Sequence, residues 1–201
     1  MLDKSLPFMD IIMKAKKEDL DSDIDPLAEG YSYRMYRDGD EIPWAEIQTA
    51  VGEFDSFEDA ITYFNRVFLP YTDYLYDRMC FIVDEDENFV ATATAWFKED
   101  EIRRYPLLHW VSTDPKYQGR GFGTSVSKYA VRLFNITDPE EDEIFLHAHT
   151  WGYRFVGLGY KMGFRVSMKP LLNRTTHPDF MDIIEKELPK KITNDLMGED
   201  E

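Results

Sequence analysis

Residues 107–134 read LLHWVSTDPKYQGRGFGTSVSKYAVRLF and divide into three parts. The apolar run 107–112 is bounded by an Asp-Pro turn and predicts a buried strand. A loop with glycine at every second position follows, at Gly119, Gly121 and Gly123. Apolar residues then recur at helical spacing, which predicts an amphipathic helix. This order is typical of phosphate-binding sites, because the first helical turn has free N–H groups and glycine allows close backbone approach.

Two common glycine loops do not fit this segment. A dinucleotide loop has the pattern G-x-G-x-x-G, and a P-loop ends in Gly-Lys followed by Ser or Thr. The pattern that fits is Q/R-x-x-G-x-G/A, with Gln118, Gly121 and Gly123 in place. Together with the preceding VSTDPKY and the following helix, it resembles the main motif of the GNAT superfamily of acyl-CoA N-acyltransferases. The alternative is a tight turn, but alternating glycines destabilise a helix start that serves no ligand.

The other predicted elements follow from capping residues and apolar periodicity. They are a strand at 31–36, a helix near Pro43, a helix capped by Ser56 or Asp55 that stops at Pro70, a hairpin of 79–83 and 89–97, a strand at 144–149, a helix at 151–162 ended by Gly163, and a strand at 164–168.

Over residues 31–170 the predicted order is β-α-α-β-β-β-α-β-α-β, which is the GNAT order. The resemblance implies an α/β (α+β) fold whose mixed central sheet is flanked by helices. It also implies that the sheet is splayed where strand 107–113 leaves its partner 144–149. Beyond Pro170 the family usually adds a last strand, whereas this sequence predicts a loop and an extra C-terminal helix at 178–188.

We therefore predict one GNAT-like domain over residues 30–190. An N-terminal extension, 1–29, precedes it and an acidic tail, 191–201, follows it. Within the extension, Phe8–Met13 is interpreted either as a short strand or as a segment packed on the domain.

Composition excludes several functional classes. The chain has 201 residues, 43% of them apolar and 15% aromatic, which indicates one globular domain. Its net charge of −16 argues against nucleic acid or an anionic membrane as a partner. The charge fits a cationic amine substrate, but solubility explains it more simply. Cys80 is the single cysteine, so no internal disulfide forms. With no signal-like start and no long apolar run, we expect a cytoplasmic protein.

The resemblance implies acetyl-CoA as the cofactor. Its pyrophosphate would bind main-chain N–H groups of the glycine loop, and two hydroxyl side chains at the helix start would assist. Backbone groups at the splay would pair with the pantetheine amides, and the N–H of Val111 or Ser112 would donate to the oxyanion. The predicted cofactor-binding residues are Val111, Ser112, Thr113, Gln118, Gly119, Arg120, Gly121, Phe122, Gly123, Thr124 and Ser125.

The elbow 52–55 joins two predicted helices. In GNAT proteins the corresponding elbow overhangs the acceptor site, so the resemblance makes Glu53 and Asp55 candidates for holding a substrate amine. The simpler alternative is a solvated turn. We expect the acceptor to be a primary amine of a small molecule or peptide. The resemblance leaves a homodimer open.

The sequence pattern that would identify the general acid is weaker than the glycine-loop motif. The family often places a tyrosine four residues before the glycine that ends this helix. That position holds Gly159 here, and Tyr160 comes one residue later, a rotation of about 100°. Gly157 and Gly159 each weaken the helix by about 1 kcal/mol relative to alanine. They indicate either a π-bulge that restores Tyr160 or room for a bulkier ligand. A tyrosine in the core or at the surface is the plainer alternative to a catalytic Tyr160.

Histidines are the candidates for the general base, since the central strand contains no carboxylate. His109 lies in that strand, and His147 and His149 share one face of its neighbour. His149 is the first choice, and the acidic limb of the pH–rate profile should report a pKa of about 6–7. Structural histidines are an equal alternative. Because no cysteine or carboxylate completes a recognisable ligand set, we predict no metal site.

The sequence thus predicts an N-acetyltransferase that uses acetyl-CoA. One alternative is a CoA-binding module without transferase activity, which the glycine at position 159 leaves open. Another is an interaction protein in which the glycine loop is only a turn.

Overall fold

The computed structural model of the chain describes residues 1–24 and 26–198. The strands are β1 (Asp10–Lys16), β2 (Tyr31–Met35), β3 (Met79–Asp84), β4 (Phe89–Glu99), β5 (Arg104–Thr113), β6 (Glu143–His149) and β7 (Arg165–Val166). The helices are α1 (Glu41–Val51), α2 (Phe57–Val67), α3 (Thr72–Arg78), α4 (Phe122–Thr137), α5 (Tyr153–Met162), α6 (Met181–Glu187) and α7 (Lys190–Thr193). The strands belong to one open, mixed sheet in the order β2-β3-β4-β5-β6-β1-β7.

The predicted mixed sheet flanked by helices is confirmed, and most predicted elements lie within a few residues of their expected bounds. Two helix ends are confirmed in detail. The Ser56 hydroxyl accepts the Asp59 N–H at 3.1 Å and so begins α2. Gly163 ends α5 in the left-handed conformation, with φ of 111°.

The N-terminal segment supplies a full strand of the sheet. β1 pairs antiparallel with β6 over seven residues and with β7 over two. It therefore holds the position between β6 and β7. The two interpretations of Phe8–Met13 are thus resolved in favour of a strand, which runs further than expected, to Lys16.

The structure adds one helix to the predicted elements and shortens one predicted strand. α3 was not predicted, because it is only seven residues long and Leu75 is its single buried apolar residue, too few to show a helical period. The strand expected at 164–168 shortens to Arg165–Val166. Beyond residue 190, Ile192 and Leu196 are buried and Met197 bridges to Val166.

The chain divides into two compact units, each described by itself. The first contains Met1 and residues 22–96 and 108–139. Its core is an aromatic cluster around Trp44 of α1, whose ring contacts Phe64 and Phe68 edge-on at centroid distances of 5.1 and 5.7 Å. Trp96 of β4 meets Phe68 at 4.9 Å. Large aromatic side chains thus pack α1 and α2 onto the sheet.

A buried ion pair fixes the end of α4 within the first unit. The Arg78 guanidinium donates to the Asp138 carboxylate at 2.7 Å, and both side chains are at most 3% exposed. The same guanidinium also donates to the backbone carbonyls of Ala95 and Thr137 at 3.0 and 2.9 Å. α3, β4 and α4 therefore meet at one arginine.

The second unit contains residues 2–21, 97–107 and the chain from residue 140 on. α5 packs on the face of β6 and β1 that carries Leu146 and Met13, both fully buried. The opposite face carries a small apolar cluster of Ile12, Leu107, Phe145 and Leu171. The segment after β7 is tied to β1, because the Thr176 hydroxyl accepts the Ile12 N–H at 2.9 Å.

The predicted division at residues 29 and 190 stays a prediction, as does the splay of the sheet. Across residues 1–24 and 26–198, no helix combines the length and apolar character needed to cross a bilayer.

Candidate functional site

The glycine loop follows β5 and begins α4, all within the first unit. Asp114 orders the first turn, since its carboxylate accepts the Lys116 N–H at 2.8 Å and its own N–H donates to the Val90 carbonyl at 2.9 Å. The Gln118 amide donates to the Thr113 carbonyl at 3.0 Å. The predicted loop residues are thus held against the end of the strand, with Gln118 folded back on it.

At two of the three loop glycines the backbone adopts a conformation that favours glycine. Gly119 and Gly121 have φ of 77° and 88°, in the left-handed region that other residues rarely adopt. A Cβ built at either residue meets no atom within 4 Å, so the space beside them is open. Gly121 is the N-cap of α4 and offers no capping side chain. The first N–H groups of α4 therefore receive no side-chain cap from this residue.

Arg120 is the only cation between residues 118 and 125, and it rests on aromatic rings. Its guanidinium lies 5.1 Å from the ring centroids of Tyr31 and Phe122 and 5.9 Å from that of Tyr117. The Tyr117 hydroxyl in turn donates to Asp84 at 3.3 Å. The positive charge is thus presented beside the loop on a defined aromatic support.

β5 is irregular at Trp110. This residue has φ of 49°, which is unusual for a bulky side chain and interrupts the regular strand. Gln48 of α1 lies against the irregularity: its amide nitrogen is 3.4 Å from the Trp110 carbonyl, and its amide oxygen accepts the Ser112 hydroxyl at 2.7 Å. The Trp110 indole N–H donates to the Tyr63 hydroxyl at 3.3 Å. Both α1 and α2 hold this part of the strand.

The elbow after α1 packs on the same residue. Gly52 ends the helix with φ of 92°, and the Phe54 ring stacks on Trp110 at a centroid distance of 5.2 Å. Glu53 and Asp55 flank Phe54 in the sequence; Glu53 is half-buried and Asp55 is exposed. The structure thus brings both predicted acceptor residues to the elbow that contacts the irregular strand.

His109 lies one residue before the irregularity and is half-buried. Its ring meets Trp110 at 5.2 Å and Phe68 at 6.5 Å. Among the three predicted histidines, it is the one within the first unit.

His147 belongs to a charged cluster in the second unit. Its Nε2 lies 2.5 Å from the Asp10 carboxylate, and Arg174 donates to the same carboxylate at 3.1 Å. Burial is the largest cause that lowers the pKa of His147 below its ordinary value; Arg174 and His149 add to this effect, and Asp10 opposes it. This combination favours a neutral imidazole.

His149, two residues along β6, has an aromatic environment instead. Its ring lies 5.0 Å from Phe8 and 6.0 Å from Trp151, and the Trp151 indole N–H donates to the Leu6 carbonyl at 2.6 Å. Residues before β1 therefore shape the surroundings of the first-choice base.

Tyr160 lies on α5, which is a regular helix, and its side chain faces Asp195. Its hydroxyl donates to Asp195 at 3.1 Å, and the Arg165 guanidinium lies 4.4 Å from its ring. A Cβ at Gly159 would come within 3.1 Å of Leu146 and 3.4 Å of Met13. Gly159 thus allows α5 to approach the strands closely. Neither the π-bulge nor the extra ligand space considered for these glycines is seen, and a role for Tyr160 as acid stays a prediction.

Gln48, Asp10 and Arg174 were not singled out from the sequence. Gln48 carried a usable signal, because it lies one turn after Trp44 on the apolar face of α1, where an amide needs a partner. Asp10 and Arg174 carried none, since their proximity to His147 depends on strand pairing between distant segments. Within residues 1–24 and 26–198, no group of three or more His, Cys, Asp or Glu side chains could hold a metal ion.

Residues 44–164 match the sequence profile described as the acetyltransferase (GNAT) family. The chain belongs to the GNAT family. Membership supports acyl transfer as the general chemistry and an acyl-CoA as the class of cofactor. Among curated proteins, no match is found.

Solved structures share this GNAT fold at low sequence identity. A GCN5-related N-acetyltransferase from Sphaerobacter thermophilus is 18% identical, with a TM-score of 0.56 over 81% of this chain and 50% of its own. A tandem GNAT protein from the clavulanic acid biosynthesis pathway is 12% identical, with a TM-score of 0.59 over 78% and 49%. A Drosophila protein is 16% identical, with a TM-score of 0.56 over 81% and 50%. The chain spans about half the length of these proteins.

Proposed function

We propose that this GNAT protein transfers the acetyl group of acetyl-CoA to a primary amine of a small molecule or peptide. The observation that carries the proposal is the open glycine loop, with left-handed Gly119 and Gly121, between β5 and α4. Alternating glycines destabilise a helix start that serves no ligand. Acyl transfer follows from family membership, whereas the acetyl group and the amine acceptor belong to the proposal.

The loop fits the pyrophosphate of acetyl-CoA. Open space beside the two glycines allows oxygen atoms to reach the backbone, and the N–H groups from Gln118 to Gly123 would donate to them. Thr124 and Ser125 would add hydroxyl donors, and Arg120 a positive charge. Backbone groups of Val111 and Thr113 would pair with the pantetheine arm.

Acetyl-CoA would supply a thioester whose thiol, with a pKa of about 8.5, is a tolerable leaving group. The N–H of Val111 or Ser112 would stabilise the acetyl oxygen as it gains negative charge. Glu53 and Asp55 at the elbow would hold the cationic amine before it is deprotonated.

One histidine would accept the proton of the amine. His149 remains the first choice, with His109 and His147 as the other candidates. His147 has the support that a base requires, since Asp10 would stabilise the imidazolium form. Comparing the pH–rate profiles of His149→Gln and His147→Gln assigns the role, because the base variant should lose the acidic limb as well as rate.

The proposed cofactor site predicts that Gly121→Glu abolishes acetyl-CoA binding, because the variant places a carboxylate where the pyrophosphate would lie. Isothermal titration calorimetry of the folded variant measures this loss. Gly121→Ala imposes backbone strain of about 1–2 kcal/mol without the charge and should retain weaker binding. Gly39→Glu is the matched control, since Gly39 has a φ of 98° in another open turn. Unchanged affinity in Gly121→Glu would contradict the proposal.

A panel of polyamines, arylalkylamines, amino sugars and peptides, assayed for thiol release from acetyl-CoA, tests the transferase activity. Binding of acetyl-CoA without turnover of any amine would favour the alternative, a CoA-binding module. That alternative is motivated by the missing tyrosine at position 159.

A further inference from the structure

We infer that Gln48 is a positioning residue for this reaction: it orients the Trp110–Val111 peptide so that the Val111 N–H donates to the acetyl oxygen. The inference rests on the proposed function and selects one of its two candidate donors. All residues that carry it lie in the first unit.

Gln48 is a fully buried amide on the apolar face of α1, with 0% of its surface exposed. A buried amide requires hydrogen-bond partners. A backbone carbonyl can only accept, so the amide nitrogen must face Trp110, at 3.4 Å, which leaves the oxygen for the Ser112 hydroxyl at 2.7 Å. The side chain therefore spans Val111, with one contact on each side of it.

Trp110 is fixed both at its backbone and at its ring. Its left-handed φ of 49° is rarely adopted by a tryptophan and persists only where the surroundings determine it. Gln48 meets its carbonyl, Tyr63 accepts from its indole N–H, and Phe54 stacks on its ring. α1, α2 and the elbow between them thus hold one peptide of the strand.

The direction of the Val111 N–H follows from the geometry of a trans peptide. In such a peptide the carbonyl and the N–H point in opposite directions. Because the Trp110 carbonyl points toward Gln48 on α1, the Val111 N–H points away from that helix. We select Val111 over Ser112 because Val111 is half-buried, whereas the residue Ser112 is buried at 8% exposure and its hydroxyl already donates to Gln48. A donor fixed before the ligand arrives needs little reorganisation when charge develops.

Amide spectra of the ¹⁵N-labelled full chain test this inference. Acetyl-CoA and CoA are the two probes, because CoA lacks the acetyl oxygen. We expect the Val111 amide proton to lie further downfield with acetyl-CoA than with CoA, and Ser112 to show no such difference. In Gln48→Met the difference at Val111 should fall by at least about half, since the contact to the Trp110 carbonyl is lost. The ligand-induced shifts of the glycine loop should persist.

Kinetics give a second readout with the best amine of the panel. Gln48→Met should lower kcat about 10- to 100-fold with an unchanged acetyl-CoA Kd, as expected for a misplaced transition-state donor. Ser112→Ala removes only the hydroxyl contact and should cause a smaller loss of the same kind. Thr49→Val is the matched control, because it breaks a hydrogen bond of the next α1 residue, to the Ser56 carbonyl, and should leave both readouts unchanged.

The outcomes separate this inference from the proposed function. Suppose that the glycine loop shifts with acetyl-CoA. An acetyl-dependent shift at Ser112 would then overturn the role of Gln48 alone, and so would an acetyl-dependent shift at Val111 that survives Gln48→Met. If Gln48→Met does not fold, Ser112→Ala decides: an acetyl-dependent shift at Val111 that does not decrease at all in this variant would overturn the role of Gln48. The absence of loop shifts with either probe would overturn the proposed function and the inference together.

Discussion

At the scale of single residues, position 159 holds a glycine where the family often has a tyrosine, and the tyrosine of this chain lies one residue later, at position 160. The residue that faces the strands is glycine, and a Cβ there would come within 3.1 Å of Leu146, so a tyrosine side chain would not fit without a shift of the helix. The tyrosine is turned outward, where it bonds to Asp195 and stacks with Arg165. Burial, together with the bond to Asp195, raises the pKa of the Tyr160 phenol, which makes it a weaker proton donor.

We therefore expect Tyr160→Phe to reduce turnover by less than tenfold. A true general acid would cost a factor of about 10² to 10⁴ when removed. The measurement is kcat with the best amine, beside calorimetric acetyl-CoA affinity, and Tyr153→Phe on the same helix serves as the control. A hundredfold loss in a folded Tyr160→Phe protein would mean that the phenol does protonate the leaving thiolate.

At the scale of elements, Arg78 joins α3, β4 and the end of α4. Its guanidinium satisfies one carboxylate and two backbone carbonyls, so little of its charge is left uncompensated. The pair matters for the site because α4 begins at the glycine loop and ends beside Asp138.

Arg78→Met should destabilise the protein by about 3–5 kcal/mol, because it leaves the Asp138 carboxylate buried without its partner. The free energy of unfolding in urea measures the loss. The double variant Arg78→Met with Asp138→Leu should recover much of it, since no buried charge remains. A more exposed pair, Arg104 with Glu99, provides the control: Arg104→Met should change stability by less than about 1 kcal/mol. Equal effects of the two single variants would contradict this account.

At the scale of the whole molecule, the pH dependence of stability has a contribution from His147. The unfolded imidazole binds its proton at a pKa of about 6.5, whereas burial lowers the pKa in the folded state. Between these two values the unfolded chain binds more protons. The contribution of His147 to stability is therefore complete above pH 6.5 and is lost as the pH falls toward the folded pKa.

In wild type, the free energy of unfolding should fall between about pH 7 and about pH 5, a range around the ordinary histidine pKa; in His147→Gln this fall should be smaller. Urea denaturation at a series of pH values measures the slope, and His177→Gln, an exposed histidine, is the control. A slope in His147→Gln that equals the wild-type slope would show that this imidazole titrates alike in both states.

Local signals account for most of what the sequence predicted. The strand, glycine loop and helix were predictable because left-handed glycines, the Asp-Pro turn and apolar periodicity lie within thirty residues of each other, roughly the size of one supersecondary unit. The partners of His147 were not predictable, because Asp10 lies 137 positions away and only strand pairing brings it there. The packing role of Gly159 depends in the same way on β1.

The pairing of β1 with β6 also has a consequence in time. β1 is synthesised well before β6, because Asp10 and His147 are 137 residues apart. At about 5–20 residues per second, β1 waits roughly 7 to 27 seconds for its partner. During that interval its apolar residues, among them Ile11 and Met13, have no sheet to enter. The nascent chain should therefore bind chaperones through β1 until β6 has been synthesised.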